Sequence, residues 1–310
     1  MLRLSQQRGS ALIVALFVMS LAAAASVAML SRTSIDVRRT ELLLNASQSN
    51  LYAQGSIAWA MNQLMNNLNA QKQNPNKIVD VMPMKSKVDV VNGFKIESTI
   101  EDMQSLFNLN NLTNPEYQKN FLRLIHAVDP KLHLAQINEI TAATHEWVSP
   151  AKNDVTDAYY AKQNPPYRAP HKLMASVSEL RLIKGMTPEL YNKLLPYVTA
   201  LPDTTPININ GATVPVFLSL NPTLNAEGVA NLLKRQKQSG FRTIQEFTGL
   251  DIIKNNPVTP EQITVQSSYF LVKTSVTVGH QQTLLYTLLL RALKDSKPSV
   301  TALWQTKGTL

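Results

Sequence analysis

The chain of 310 residues is long enough for one large domain or two ordinary ones. Apolar residues make up 44% and charged residues 16%, which is too apolar for a disordered chain and too charged for a protein with many membrane spans. The absence of cysteine excludes disulfides, a cysteine nucleophile, a thiolate zinc site and an iron–sulfur cluster. The net charge of +9 suits an acidic partner, a nucleic acid or an anionic membrane.

The amino-terminal segment has the length and composition of a membrane span. Residues from Ser10 to Leu30 include no charged side chain, and as a helix they would extend about 31 Å, the thickness of a bilayer core. Three interpretations remain open here: a secretory signal peptide cut beyond Ala22–Ala25, an uncleaved signal anchor, or a prepilin-type leader cut after Gly9. The counts of Lys and Arg on the two flanks are nearly balanced and do not fix the orientation.

Helical periodicity continues beyond the apolar run and predicts one helix from about Ser10 to about Asn67. Half of this helix would lie in the membrane, and half would pack on a soluble domain. A hairpin follows, because Asn92-Gly93 separates two strand-like runs, Val88–Val91 and Phe94–Ile100.

Three further segments also have strand character, namely Met103–Leu112, Gln262–Val278 and Gln281–Leu293. The sheet is therefore split by about 150 residues of another kind, which predict an all-α insertion from Thr113 to Glu261. Within it we expect a polar loop over Asn153–Pro170. The predicted helices are Pro115–Val128, Leu134–Trp147, Ser176–Lys184, Pro188–Tyr197, Val214–Leu220, Ala226–Gly240 and Thr243–Thr248. No internal repeat is long enough to indicate a solenoid. The predicted fold class is α+β.

No motif in the sequence indicates an enzyme, because nucleotide-binding loops, a nucleophile elbow and metalloprotease pairs do not occur. The five histidines are expected at the surface or at helix ends. Asp154 and Asp157, with Asn153, form a short oxygen-rich run that could hold Ca²⁺. The neighbouring Lys152 and the small number of carboxylates favour a solvated loop instead.

A second candidate function is DNA binding by a membrane-anchored helix-hairpin-helix protein. The basic residues that suggest it are Lys184, Lys193, Lys234, Arg235, Lys237 and Arg242. Such modules bind phosphate through the backbone N–H groups of a glycine hairpin. One corresponding segment, Leu220–Leu224, has no glycine, and the other candidate hairpin has only Gly185. The sequence therefore gives little support to a phosphate cradle.

Several motifs, taken in order, resemble one known family along nearly the whole chain. They are the Gly9-Ser10 junction before the apolar helix, SLFNLNNL at 105–112, the stretch 164–202, TPININGA at 205–212 and SSYFLVKTSVTV at 267–278. In these motifs the chain resembles the K class of minor pseudopilins of type II secretion systems, general secretion pathway protein K.

The resemblance implies a non-enzymatic assembly protein with a pseudopilin helix, a small antiparallel sheet and a large helical domain inserted between strands. It implies cleavage by a prepilin peptidase after Gly9 and N-methylation of Ser10. It further implies assembly with I- and J-class minor pseudopilins at the pseudopilus tip, priming of that assembly, and contact with the inner-membrane assembly platform. The protein would cross the bacterial inner membrane once, with its carboxyl-terminal domain in the periplasm. No nucleic-acid partner is expected.

The resemblance also divides the chain into five regions. They are a leader over residues 1–9, a membrane helix over 10–31, the pseudopilin helix and first strands over 32–112, the inserted helical domain over 113–261, and the closing strands with a carboxyl-terminal tail over 262–310.

The fifth residue after the expected cleavage site is Val14. Most pilins have a glutamate there, which pairs with the amino group of a neighbouring subunit, and the K class characteristically lacks it. A charged amine in hydrocarbon is costly unless it is paired. A subunit without the glutamate offers no such pair to a subunit above it, which suits the tip of a filament. Some family members bind Ca²⁺ in the helical domain, but the run near Asp154 and Asp157 departs from that pattern.

Overall fold

The computed structural model describes residues 8–74, 78, 82–150, 154–254, 258–294 and 297–308. Its longest element is helix α1, Arg8–Gln73, whose 66 residues extend about 99 Å. The helix passes the predicted end near Asn67, because Ala, Gln and Lys continue it as good helix formers. Ala53, Ile57, Ala60 and Leu64 are buried at helical spacing, and this stripe packs against the main sheet.

The described strands form one large sheet and two small ones. Numbered in chain order, they are β1 Met84–Lys85, β2 Asp89–Val91, β3 Phe94–Asp102, β4 Phe107–Asn108, β5 Val198–Thr199, β6 Ile207–Asn208, β7 Ile263–Thr264, β8 Tyr269–Val278, β9 Gln281–Lys294 and β10 Lys297–Lys307. The main sheet is antiparallel in the order β1-β3-β8-β9-β10, and β2 also pairs with β3. The predicted hairpin at Asn92-Gly93 is present, and both residues have the positive φ that its turn requires.

Two strand predictions were wrong in detail. The segment Met103–Leu112 contains only β4 between two 3-10 helices, because the side chains of Asp102 and Asn108 each accept a hydrogen bond from the amide two residues on and so begin a turn. The predicted strand Gln262–Val278 is likewise divided into β7 and β8. In contrast, residues beyond 293, for which a tail was expected, contribute the eleven-residue strand β10.

Most helices belong to the domain inserted between β3 and β8. They are α2 Gln118–Val128, α3 Leu134–Val148, α4 Asp154–Ala161, α5 Pro188–Leu194, α6 Val214–Leu220, α7 Ala226–Gln238, α8 Ile244–Thr248 and α9 Asp251–Lys254. Their shared core runs from Phe107 to Ile263 and so reaches past the proposed limits 113–261. The insertion is not purely helical, since β4 pairs with β5 and β6 pairs with β7, both in parallel.

The loop expected over Asn153–Pro170 was wrong in part, because most of its first half is helix α4. Asn153 itself lies outside the described residues. Tyr160 on this helix is fully buried and packs edge-on against Trp147, and its ring also contacts that of Tyr167. Burial of an aromatic side chain therefore decides the local structure where the polar composition alone favoured a loop.

A buried asparagine holds the first half of the inserted domain together. Asn108 at the end of β4 accepts a hydrogen bond from the amide of Asn110, which sets the position of the second asparagine. The side chain of Asn110 then accepts from the backbone N–H of Met174 at 2.8 Å and donates to the carbonyls of Met174 and Leu201 at 3.0 and 2.7 Å. We call this arrangement the first asparagine clamp.

The second half repeats the same arrangement. Asn208 at the end of β6 accepts from the amide of Asn210. The side chain of Asn210 accepts from the N–H of Phe241 at 2.7 Å and donates to the carbonyls of Phe241 and Val265 at 2.8 and 3.0 Å. This is the second asparagine clamp, and it lies one hundred residues after the first.

The segment that each clamp holds leads into the same local structure. After Met174, Ser176 begins a 3-10 helix and Glu179 binds back to the amides of the preceding residues. After Phe241, Thr243 caps α8, and the side chain of Glu246 binds back to the amide of Arg242. The inserted domain thus contains the same local arrangement twice, around Asn110 and around Asn210.

Asn110→Ala should destabilise the protein by on the order of 3 kcal/mol, because it leaves one buried N–H and two buried carbonyls without their partner. Urea unfolding of the purified full chain measures the change. The matched control is Asn62→Ala on the exposed side of α1, where the free energy of unfolding should stay the same or rise slightly. Equal unfolding free energies for the two variants would contradict the clamp.

Candidate functional site

The first third of α1 has the properties of a membrane span. It is the one helix among the described residues that is long and apolar enough to cross a bilayer, and the 18 residues of its most apolar window have a mean hydropathy of 2.5. None of that window is buried within the protein. Large apolar side chains therefore project on all sides of the helix, which is stable only in an apolar surrounding or against other helices.

Three hydroxyl groups in and just after this span bond to the helix itself. Ser20 donates to the carbonyl of Phe17, Ser26 to that of Ala22, and Thr33 to that of Met29. Such bonds to the preceding turn remove the need for water at these positions. The span therefore presents no unsatisfied hydroxyl at Ser20 or Ser26 to a lipid environment.

The residues predicted to govern processing and assembly lie at the start of α1. Gly9 and Ser10 are both within the first turn of the helix. Val14 is one turn further on and is 60% exposed. The nearest charged residue before it along the chain is Arg8, and the nearest one after it is Arg32. A carboxylate is thus missing from the whole span, and Val14 adds to its apolar surface.

The exposed apolar surface of α1 continues beyond the span. Ile35, Leu43, Leu44 and Leu51 are all more than half exposed, although they lie between Arg32 and the stripe that packs on the sheet. Exposed apolar side chains in such number mark a surface that contacts another macromolecule. This part of α1 suits packing against neighbouring helices outside the membrane.

A polar neck joins the inserted domain to the main sheet. Asp102 at the end of β3 accepts hydrogen bonds from the hydroxyl of Ser105 at 2.6 Å and the side-chain amide of Asn208 at 2.8 Å. Asn208 also donates to the hydroxyl of Ser267, just before β8. Burial raises the pKa of Asp102, and the hydrogen bonds it accepts oppose that rise.

Gln104 closes the same neck from the other side. Its side-chain oxygen accepts from the amides of Ser268 and Tyr269 at the start of β8, and its amide donates to the carbonyl of Pro206. The chain passes between the main sheet and the inserted domain twice, after β3 and before β8. Side chains at the first crossing, Asp102 and Gln104, therefore hold both crossings. The neck could not be identified from the sequence, since Asp102 and Gln104 bond to partners more than 100 positions away.

The predicted Ca²⁺ ligands are only partly within the described side chains. The side chain of Asp154 lies outside them, whereas Asp157 accepts a hydrogen bond from Nε2 of His171 at 3.0 Å. His171 is mostly buried, so it is not the surface histidine that was expected. Among the described residues there is no group of three or more His, Asp or Glu side chains that could hold a metal ion. Calcium binding by Asp154 and Asp157 stays a prediction.

Half of the basic residues that suggested DNA binding have acidic partners. Ion pairs join Lys184 to Glu139 at 2.9 Å, Lys193 to Asp129 at 2.8 Å and Arg235 to Glu246 at 3.4 Å. Gly185 does have the positive φ of a tight hairpin turn. The paired charges leave less positive potential for a phosphate backbone than the sequence count indicated.

Comparison with known proteins shows which proteins the chain is similar to. Residues 105–203 match the model of type II secretion system (T2SS), protein K. A type II secretion system protein K of Pseudomonas aeruginosa is 28% identical over 98% of this chain and 94% of its own length. That of Pectobacterium carotovorum is 29% identical over 91% and 93%. Along nearly its whole length, this chain is therefore similar to type II secretion system protein K.

The fold is also that of a solved protein K. A chain in the crystal structure of the GspK–GspI–GspJ complex from the enterotoxigenic Escherichia coli type 2 secretion system matches with a TM-score of 0.72. The match covers 88% of this chain and all of that one at 23% identity. The α+β fold with its inserted helical domain is therefore confirmed, and none of these similarities supports the DNA-binding alternative.

Gly211 is a position where the neck leaves no room for a side chain. A Cβ atom there would overlap the hydroxyl of Ser105 and displace it from Asp102. Gly211→Ala should therefore destabilise the protein by on the order of 1–3 kcal/mol. The control is Gly55→Ala on α1, where a Cβ meets nothing within 4 Å and should instead stabilise by about 0.5–1 kcal/mol. Thermal unfolding of both variants checks the opposite signs.

Proposed function

We propose that this protein is a minor pseudopilin that caps the tip of a type II secretion pseudopilus and primes its assembly. One observation supports the proposal above all: the similarity to protein K runs along almost the whole chain, including a membrane-length helix with no carboxylate from Ser10 to Ser31. Residues 10–31 would anchor it in the inner membrane, with the inserted domain and main sheet in the periplasm.

The similarity to protein K also indicates the partners of this protein. A relative of this chain was crystallised with GspI and GspJ, and we infer that the I- and J-class minor pseudopilins join this protein too. The exposed apolar residues of α1, from the span to Leu51, supply a surface for their helices. A prepilin peptidase would remove residues 1–9, and the assembly platform would receive the helix in the membrane. The role is one of assembly rather than catalysis.

The amino terminus of the protein isolated from native membranes tests the processing step. Prepilin-type cleavage predicts a chain that starts at Ser10, with a mass that also shows methylation of its amino group. The measurement is intact mass with amino-terminal sequencing, and a strain that lacks the prepilin peptidase is the control. A start at Met1 in both strains would indicate a plain anchor, and a start beyond Ala25 would end the filament interpretation.

Val14→Glu should disturb the placement of the subunit. The new carboxylate would lie in the apolar span and could pair with the amino group of a neighbouring subunit, so the variant should be found along the filament rather than only at its tip, with reduced secretion. Labelled subunits on assembled pseudopili measure this distribution. The matched control, Val14→Gln, adds a polar group without a charge and should remain at the tip. Identical distributions for both variants would refute the role of position 14.

A further inference from the structure

Strand β10 leaves one edge of the main sheet open. Among the described strands, β10 pairs with β9 on one side and has no neighbour on the other. The residues from Ser299 to Thr306 contain neither a charged residue nor a proline, and Val, Thr and Trp favour extended structure. Proteins usually protect such an edge with charges, prolines or a covering element, because its free N–H and C=O groups pair readily with another strand.

The side chains beside this edge are also those of a contact surface. Leu303 and Trp304 are 41% and 37% exposed, next to a β-bulge in the pairing with β9. Trp304 lies opposite Leu288, which belongs to the apolar cluster on the side of the sheet away from α1. Exposed tryptophan is uncommon on free surfaces and is enriched where proteins meet.

Charge limits what can pair with this edge. Lys297 and Lys307 stand at the two ends of β10, and residues 281–310 carry four basic residues against one acidic residue, Asp295. A complementary strand is therefore uncharged in its middle and acidic at its ends.

The same charges argue against a second copy of this chain as the occupant. A symmetric pair must run antiparallel, and centred on Ala302 it would set Lys297 of each copy opposite Lys307 of the other. Like charges that face each other across strands destabilise the pairing. The edge thus favours a different protein.

We propose that β10 binds, edge to edge, an extended strand with acidic ends from another subunit of the pseudopilus tip, which continues the main sheet across the subunit boundary. This inference rests on the proposed function and names a mode of contact within it. Backbone hydrogen bonds would supply affinity, while Trp304 and the terminal lysines would select the partner.

The absence of cysteine allows a direct test of the contact. Thr301→Cys, labelled with a photoreactive maleimide in the full-length protein in membranes with the I- and J-class minor pseudopilins, should give an adduct with the mass of one of them. The control is Asp89→Cys on β2, an exposed site at the opposite edge of the sheet, which should give far less. An adduct of twice the chain's own mass would identify a second copy and overturn the proposal.

Two neighbouring prolines test the hydrogen bonds. Because N–H groups of successive residues point to opposite sides of a strand, either Thr301→Pro or Ala302→Pro removes only an outward donor and leaves the pairing with β9 intact. The variant that keeps the melting temperature of the wild type should co-purify with the I- and J-class subunits at least about tenfold less well. Lys307→Glu should weaken co-purification about threefold through its charge.

The outcomes separate this inference from the function on which it rests. Wild-type protein that does not co-purify with the I- and J-class subunits would contradict the proposed function. Wild-type protein that co-purifies, together with a folded proline variant that does so equally well, would refute the β10 contact alone. If both prolines lower the melting temperature, the cross-link from Thr301→Cys decides, and its absence in a co-purifying complex overturns the contact.

Discussion

The inserted domain depends on two asparagine side chains, the buried Asn110 and the half-buried Asn210, which hold segments that no long strand holds. The strands beside them are only two residues long and cannot hold the loops that lead to Met174 and Phe241. Buried backbone groups must nevertheless find partners. Asn110 and Asn210 each satisfy three of them, so each half of the domain is closed around one polar side chain rather than around a sheet.

The same clamps explain where prediction from the sequence reached its limit. Helices such as Val214–Leu220 and the Asn92-Gly93 hairpin could be predicted, because capping residues, turn residues and periodicity are local signals. The alternating pattern near Asn110 predicted a strand, although its asparagines serve as turn caps and clamps. Their partners lie 64 and 91 residues away, and no local rule identifies a bond of that span.

The candidate site was likewise predictable only in part from the sequence. Composition was enough to predict the apolar span from Ser10, with Val14 in it, and periodicity was enough to predict that the helix continues, because both are local signals. The neck at Asp102 could not be predicted. Its members are common polar residues, and they acquire a role only when folding brings the two chain crossings together.

The neck also connects the two ends of the molecule mechanically. Helix α1 packs on β3, β8 and β9, and β3 and β8 lead directly into the inserted domain. Hydrogen bonds that Asp102 and Gln104 accept fix both crossings, and Gly211 lets the domain approach them closely. Because these bonds are buried, water does not compete for them, and a hinge there would leave polar groups unpaired. The orientation of the inserted domain is therefore coupled to that of α1.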